Sequence, residues 1–296
     1  MEQNHLTIGM TAPDFTENST FGPLTMSDYK GKWLIFFSHP GDFTPVCTTE
    51  FIAFAKAYDQ FKELNADLVG LSIDSNPSHL AWVNDIYLLT GTKIPFPVVA
   101  DRTGRVAALY GMVAPDASTQ ETVRNVFFID PDQKIRAIFV YPLTNGRYIP
   151  EVLRLLKALQ TTDKYKVVTP ANWQPGEQVL VPPAKTVNEL DQRASDPQRL
   201  GLECMDWFWC YKDLPNQRSV ANPMMTSHTS NTDNRNTTNA ISNNATQNTT
   251  TQNSSIQNTP APEGTSMNMN RSMNSDRNGM QIQSLRKNSS ARRNRY

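Results

Sequence analysis

Lys32-Trp33-Leu34-Ile35-Phe36-Phe37-Ser38-His39-Pro40-Gly41-Asp42-Phe43-Thr44-Pro45-Val46-Cys47 is the stretch that decides the fold of this 296-residue chain. Lys32 to Ser38 is a short apolar run, rich in aromatics and bounded by Gly31 and Pro40, and it reads as a buried strand. Beyond Cys47, residues Phe51, Phe54, Ala55, Tyr58 and Phe61 recur at helical spacing, so a helix follows with one apolar stripe on the core. Thr48 and Thr49 are its candidate caps. A thiol in the first turn of a helix faces unpaired backbone N–H groups and the positive end of the helix dipole. Both favour the thiolate, which is the nucleophilic form. Pro45 sets the turn and removes a donor the helix would not have used. Thr44 can aim a hydroxyl at whatever the sulfur attacks. Free cysteines are usually buried as small hydrophobes, but the polar, proline-bracketed loop that delivers Cys47 argues for a reactive thiol outside the core.

Working outward, strand and helix signals alternate. Ala66 to Asp74 reads as a buried strand, and Ser78 to Leu89 as a helix with Leu80, Val83, Ile86 and Tyr87 at helical spacing. Phe96 to Ala100 is a short strand and Arg105 to Tyr110 a short helix. Arg124 to Ile129 and Ile135 to Tyr141 are strands joined by the turn-forming Asp130-Pro131-Asp132-Gln133-Lys134, which predicts an antiparallel hairpin. Ile149 to Leu159 closes the unit as a helix. This order is that of an α/β, thioredoxin-like sandwich with a mixed sheet, with the thiol at the carboxyl end of a central strand, where ligands gather. Val167 to Asn216 is proline-rich, with one plausible helix at Val187 to Ala194. Its apolar weight lies in Cys204-Met205-Asp206-Trp207-Phe208-Trp209-Cys210-Tyr211, expected to pack on the main domain or on a second subunit.

Composition gives three parts: a domain over residues 1–165, a C-terminal extension over 166–216, and a tail over 217–296 dominated by Asn, Thr, Ser and Gln, whose only aromatic is Tyr296. Such a tail buries too little apolar surface to offset ordering entropy and reads as disordered. The formal net charge of zero conceals a split, because the tail holds nine Lys or Arg against three acids, +6, leaving −6 for the rest. Its basic end reads as solvated charge, so no nucleic-acid partner is expected. The chain shows neither a signal peptide nor an apolar run long enough for a membrane span, and its three cysteines make no disulfide framework. A cytoplasmic protein that uses thiols for chemistry fits these features.

Pro40 through Cys47, with Thr44 three residues before the cysteine and Thr48-Thr49-Glu50 after it, resembles the active-site signature of peroxiredoxins. His39 ahead of Pro40 and the extension past residue 160 resemble the long, one-Cys-like branch. The Cys204 to Cys210 segment is similar to that of the archaeal-type members, which work as two-Cys enzymes. The resemblance implies a thiol peroxidase acting on hydrogen peroxide and organic hydroperoxides. Cys47 would be the peroxidatic cysteine, passing through a sulfenic acid, and Thr44 would hold the peroxide. Arg124 matches the family's active-site arginine; it would bind substrate, favour the thiolate and stabilise charge on the leaving oxygen. Pro40 would shield the sulfur from water. Arg147 matches a second arginine near the site, and His39 a hydrogen-bonded neighbour.

Cys204 and Cys210 are too far apart for a Cys-x-x-Cys motif, and no zinc site is near them. The family pattern implies Cys210 as the resolving residue, reaching Cys47 of a partner subunit, with Cys204 as an alternate disulfide partner of Cys210. A thioredoxin-type reductant would open the disulfide. No cofactor or metal is implied, and family members assemble as homodimers, often in rings of five dimers. Some long-branch members carry a lipase-like serine before the first central strand; Gly31-Lys32-Trp33 has none, so phospholipase activity is not carried over. His5, His79 and His228 show no ligand spacing and receive no role. A thiol–disulfide oxidoreductase would want a second cysteine near Cys47, and the next is Cys204. A redox-sensing or chaperone-like assembly is the rival from outside catalysis.

Overall fold

The computed structural model of the chain describes residues 6–215 apart from 115, 117, 119 and 120; the reading of 217–296 as a disordered tail falls outside them. An N-terminal hairpin, β1 (Thr16–Ser19) and β2 (Gly22–Thr25), precedes the alternating run β3 (Trp33–Ser38), α1 (Pro45–Glu63), β4 (Ala66–Ser72), α2 (Asn76–Thr90) and β5 (Val98–Ala100). After α3 (Arg105–Leu109) come the hairpin β6 (Arg124–Ile129) and β7 (Ile135–Tyr141), then α4 (Ile149–Tyr165). These strands make one seven-stranded sheet in the order β2-β1-β5-β4-β3-β6-β7. Strands β3, β4 and β5 are parallel, and β6 and β7 return antiparallel. This is the thioredoxin-like arrangement expected from the alternation, with β3 at the centre.

Burial explains why β3 and β6 read as continuous apolar runs: helices or loops cover both faces of the sheet, so every residue of both strands is buried. The period of two then sorts side chains between two cores. Trp33, Ile35 and Phe37 join α1, α2 and α4 on one face, while Leu34 and Phe36 join Phe15, Val106 and Tyr110 on the other. Gly70 of β4 has a packing reason: a Cβ there would stand 3.2 Å from the Phe51 ring and 3.4 Å from that of Phe37. The β6–β7 turn is held by Asp130, whose Oδ1 accepts from the backbone N–H groups of Asp132 and Lys134.

Two elements differ from expectation. The β1–β2 hairpin was not signalled, because Thr-Glu-Asn-Ser and Gly-Pro-Leu-Thr lack apolar alternation and bury only Ser19 and Leu24. The aromatic run of the extension is itself a hairpin: β9 (Glu203–Asp206) and β10 (Trp209–Lys212) pair with β8 (Val179–Leu180), and α5 (Val187–Ser195) lies between. Trp173, Val179 and Leu214 anchor the extension to Ala158 and Val167 at the end of α4. Within the aromatic run Cys210 and Tyr211 are buried, while Trp207, Phe208 and Trp209 stay 36%, 53% and 38% exposed. At a hairpin tip, successive side chains point to opposite faces, and a thin sheet cannot cover both.

Candidate active site

Helix α1 begins at Pro45, with Thr44 in extended conformation as its N-cap, so Cys47 is the third helical residue. Thr48 and Thr49 therefore lie inside the helix and do not cap it; their hydroxyls donate to the carbonyls of Thr44 and Val46. Residues three apart share a helix face, which puts Glu50 beside Cys47, facing the sheet. Arg124 is on the same sheet face as Val126 and Phe128, the α1 side, by the period of two. The two elements thus bring a guanidinium to the thiol: Arg124 Nη1 lies 3.3 Å from Cys47 Sγ and donates to Glu50 Oε2 at 2.7 Å. Its Nε and Nη2 donate to the Leu143 carbonyl, which fixes the plane of the group.

Arg147, on the loop before α4, completes the group. Its backbone N–H and Nε donate to Glu50 Oε1 and its Nη2 to Oε2, while Nη1 reaches the carbonyls of Ser38 and Asn125. The guanidinium also lies over the rings of Phe37 and Phe54, 5.0 and 5.6 Å away. Burial pushes the Glu50 carboxyl up, but the charge and hydrogen bonds of Arg147, with Arg124 beside it, outweigh that and hold it below the usual range. Two guanidinium groups against one carboxylate leave this trio at +1. A thiolate at Cys47 brings the buried group to neutrality, and no other ionisation within it does.

The AhpC/TSA family model matches residues 8–138, and the model for the C-terminal domain of 1-Cys peroxiredoxin matches residues 158–196. Peroxiredoxin 2 of Caldanaerobacter subterraneus subsp. tengcongensis is 58% identical over 207 residues, spanning 70% of this chain and 93% of that one. The chain belongs to the peroxiredoxin family. It is a thiol peroxidase, reducing hydroperoxides to alcohols and water. Two solved peroxiredoxins share the fold. A Cys-to-Ser mutant of the peroxiredoxin 6 of Arenicola marina gives a TM-score of 0.64 at 35% identity, covering 72% of this chain and all of that one. A yeast mitochondrial 1-Cys peroxiredoxin, described with a thiol resolving mechanism via glutathione/thioredoxin systems, gives 0.62 at 39%, covering 71% and all of its chain.

In this peroxiredoxin Cys47 and Glu50 of α1 are gathered with Arg124 and Arg147. Pro40 is buried next to His39, and the Thr44 hydroxyl donates to the Gly41 carbonyl at 2.9 Å. One expectation is corrected. Cys47 is a core residue, fully buried among Phe51, Phe54 and Val126, because Thr44 rather than Thr48 caps the helix and the thiol turns inward. His39 is hydrogen-bonded as expected, its Nε2 3.1 Å from Asp42 Oδ1, and burial lowers its basicity. Cys204 and Cys210 face each other across β9 and β10 and are joined as a disulfide, so Cys47 is the free cysteine. Three residues escaped the reading. Glu50 was quoted only as part of the signature, although its place three after Cys47 was a signal. Asp42 and His79 form a buried cluster with His39 whose ligand atoms lie within 4.8 Å of one another, a donor set that suits a metal ion as well as a proton.

Proposed function

We propose that Cys47 is the peroxidatic thiol of a cycle closed through Cys210. The Cys47 thiolate attacks the terminal oxygen of a hydroperoxide; the S–O bond forms as the O–O bond breaks, and the electron pair leaves on the other oxygen. That oxygen takes up a proton to become water or an alcohol, and the sulfur becomes a sulfenic acid. The observation that carries this reading is Arg124 Nη1 at 3.3 Å from a thiol whose ionisation neutralises its buried surroundings. Arg124 meets charge on the leaving oxygen, Thr44 holds the peroxide with its hydroxyl, and Pro40 keeps water from the sulfur. Arg147 orients Glu50 and, through it, Arg124.

Resolution follows by attack of the Cys210 thiol of a second subunit on the Cys47 sulfenic sulfur, forming a disulfide and releasing water. Attack by Cys204 on Cys210 then frees the Cys47 thiol and leaves the Cys204–Cys210 pair, the bond that the hairpin register supports. A dithiol of the thioredoxin type reduces it; the yeast relative's glutathione/thioredoxin systems support that class of reductant. Homodimers, assembled as a ring of five dimers, fit the exposed aromatic tip and the edge strand β7, where Val140 is 66% exposed. The cytoplasm fits a cycle that needs reduced thiols. Residues 1–165 form the peroxidase domain and 166–216 the extension that brings Cys210. In Cys204→Ser, which cannot pass the bond on, one equivalent of peroxide should convert reduced protein to a dimer on a non-reducing gel, and adding Cys210→Ser should remove that dimer. A full yield of dimer from Cys210→Ser would move the resolving role to Cys204.

A further inference from the structure

A second buried charge group adjoins the site and takes no part in the cycle above. The Asp42 carboxylate, 1% exposed, lies between two fully buried imidazoles. His79 Nδ1 is 2.8 Å from Oδ2 and 2.9 Å from Oδ1. His79 Nε2 is 3.2 Å from the carbonyl oxygen of Val99. Both partners of the His79 ring are acceptors, so Nδ1 donates to the Asp42 carboxylate and Nε2 to the Val99 carbonyl. His39 differs: its Nε2 faces Asp42 Oδ1, and its Nδ1 has no partner, so it is the neutral ring of the pair.

This pair adjoins a strained stretch of backbone. Phe43, the residue after Asp42, has φ +57° and a side chain 57% exposed. A non-glycine residue in the left-handed region persists where its surroundings over-determine it. Here the determinants are on Asp42, whose backbone N–H donates to Asp74 Oδ2 and whose carboxylate is gripped by both histidines. One turn further along α2, Trp82 stacks on His39 and donates through Nε1 to the Thr48 hydroxyl. A single face of α2 therefore grips both sides of the Thr44–Cys47 turn. The charged and titratable groups around His79 are Asp42 from the β3–α1 loop and His39, whose ring centre is 5.9 Å away; from β5 it meets the Val99 carbonyl. Asp74 bonds to Asp42, and Arg147 acts on His39 from the far side.

We propose that His79 is a positioning residue for the peroxide reaction: through its hydrogen bonds it clamps Asp42, and through Asp42 it holds the 41–44 loop in the strained shape that sets Thr44 and Cys47. The proposal rests on Cys47 being the reacting thiol.

The test uses the reduced full-length chain. Nitrogen-15 NMR of histidine-labelled protein, with His79 assigned by the signal missing in His79→Gln, should show both His79 ring nitrogens protonated at neutral pH. Single-turnover oxidation by hydrogen peroxide should slow about tenfold in His79→Gln and in the near-isosteric Asp42→Asn, the scale of a modest misplacement of reacting groups. In both variants a bulky maleimide should label Cys47 faster than in the wild type. A wild-type His79 with one unprotonated nitrogen overturns the proposal, whether or not the variants fold. So does stoichiometric zinc on the cluster of the isolated protein. A wild-type peroxide rate in both variants shows Cys47 still reactive and sinks the clamp alone; peroxide chemistry that persists without Cys47 sinks the underlying reading instead.

Discussion

Cys47 and the Cys204–Cys210 pair occupy opposite kinds of ground. Cys47 is single, fully buried at the centre of the main core, and hydrogen-bonded by a guanidinium that three further contacts hold in place. The pair lies in a three-stranded sheet of short strands, joined across one hairpin, with exposed aromatics at the tip. Reaction with a small peroxide demands placement and charge, which a dry, rigid site supplies. Thiol–disulfide exchange demands access of one sulfur to another, which the hairpin register supplies for Cys204 and Cys210. One sulfur stands alone in the core; the other two face each other, Cys204 partly exposed and Cys210 buried.

The contrast breaks most completely at Cys47 itself. Cys47→Ser should lose peroxide consumption to the uncatalysed background in a single-turnover assay, because the nucleophile is gone; retention of even a tenth of the rate would remove Cys47 from the chemistry. Arg124→Ala should follow, with oxidation of Cys47 slowed by about 10²–10³-fold, the cost of deleting one preorganised donor at a charged centre. Arg124→Lys should recover only part of this, since an ammonium cannot meet Sγ, Glu50 and the Leu143 carbonyl from one plane.

Glu50→Gln tests the charge balance that marks off this region. It leaves two buried guanidinium groups facing a neutral amide, and thermal or denaturant unfolding should report a loss of about 3–5 kcal/mol. The pH dependence has a fixed sign. The folded Glu50 carboxyl titrates below its unfolded value, so its contribution is complete above the unfolded carboxylate range, about 4.3. It is lost as pH falls through the lower folded value. Unfolding midpoints measured from pH 6 to pH 3 should therefore fall on the acid side in the wild type and much less in Glu50→Gln.

The smallest expected effect on the peroxide step belongs to the hairpin. Cys204→Ser and Cys210→Ser should leave single-turnover oxidation of Cys47 within about twofold of wild type, since neither thiol touches the reacting group, while multiple turnover with a dithiol slows sharply. The short loop that this disulfide closes limits the lost stability to about 2–3 kcal/mol. A large fall in single-turnover rate would mean that the two regions are coupled before resolution begins.

What the sequence disclosed follows the same division. Strand β3, helix α1 and the β6–β7 hairpin were legible because their side chains are sorted by local period and turn chemistry. Arg124 was legible through the motif that opens β6. The burial of Cys47 was not, because a polar loop can deliver a residue inward once the cap moves back to Thr44. Nor was the Asp42–His79 pair, 37 positions apart, since no periodicity reports which loop a distant helix will touch. The hairpin β9–β10 was hidden for a third reason: Trp207, Phe208 and Trp209 are exposed in succession, so the alternation that marks a half-buried strand is absent.

The most direct measurement is to treat the fully reduced full-length protein with one equivalent of hydrogen peroxide in the presence of a sulfenic-acid-trapping 1,3-dione and to map the adduct by peptide mass spectrometry. The expected result is a single adduct on Cys47, with Cys204 and Cys210 unmodified or paired. An adduct on Cys204 or Cys210 with Cys47 untouched would contradict the assignment of Cys47 as the thiol that meets peroxide.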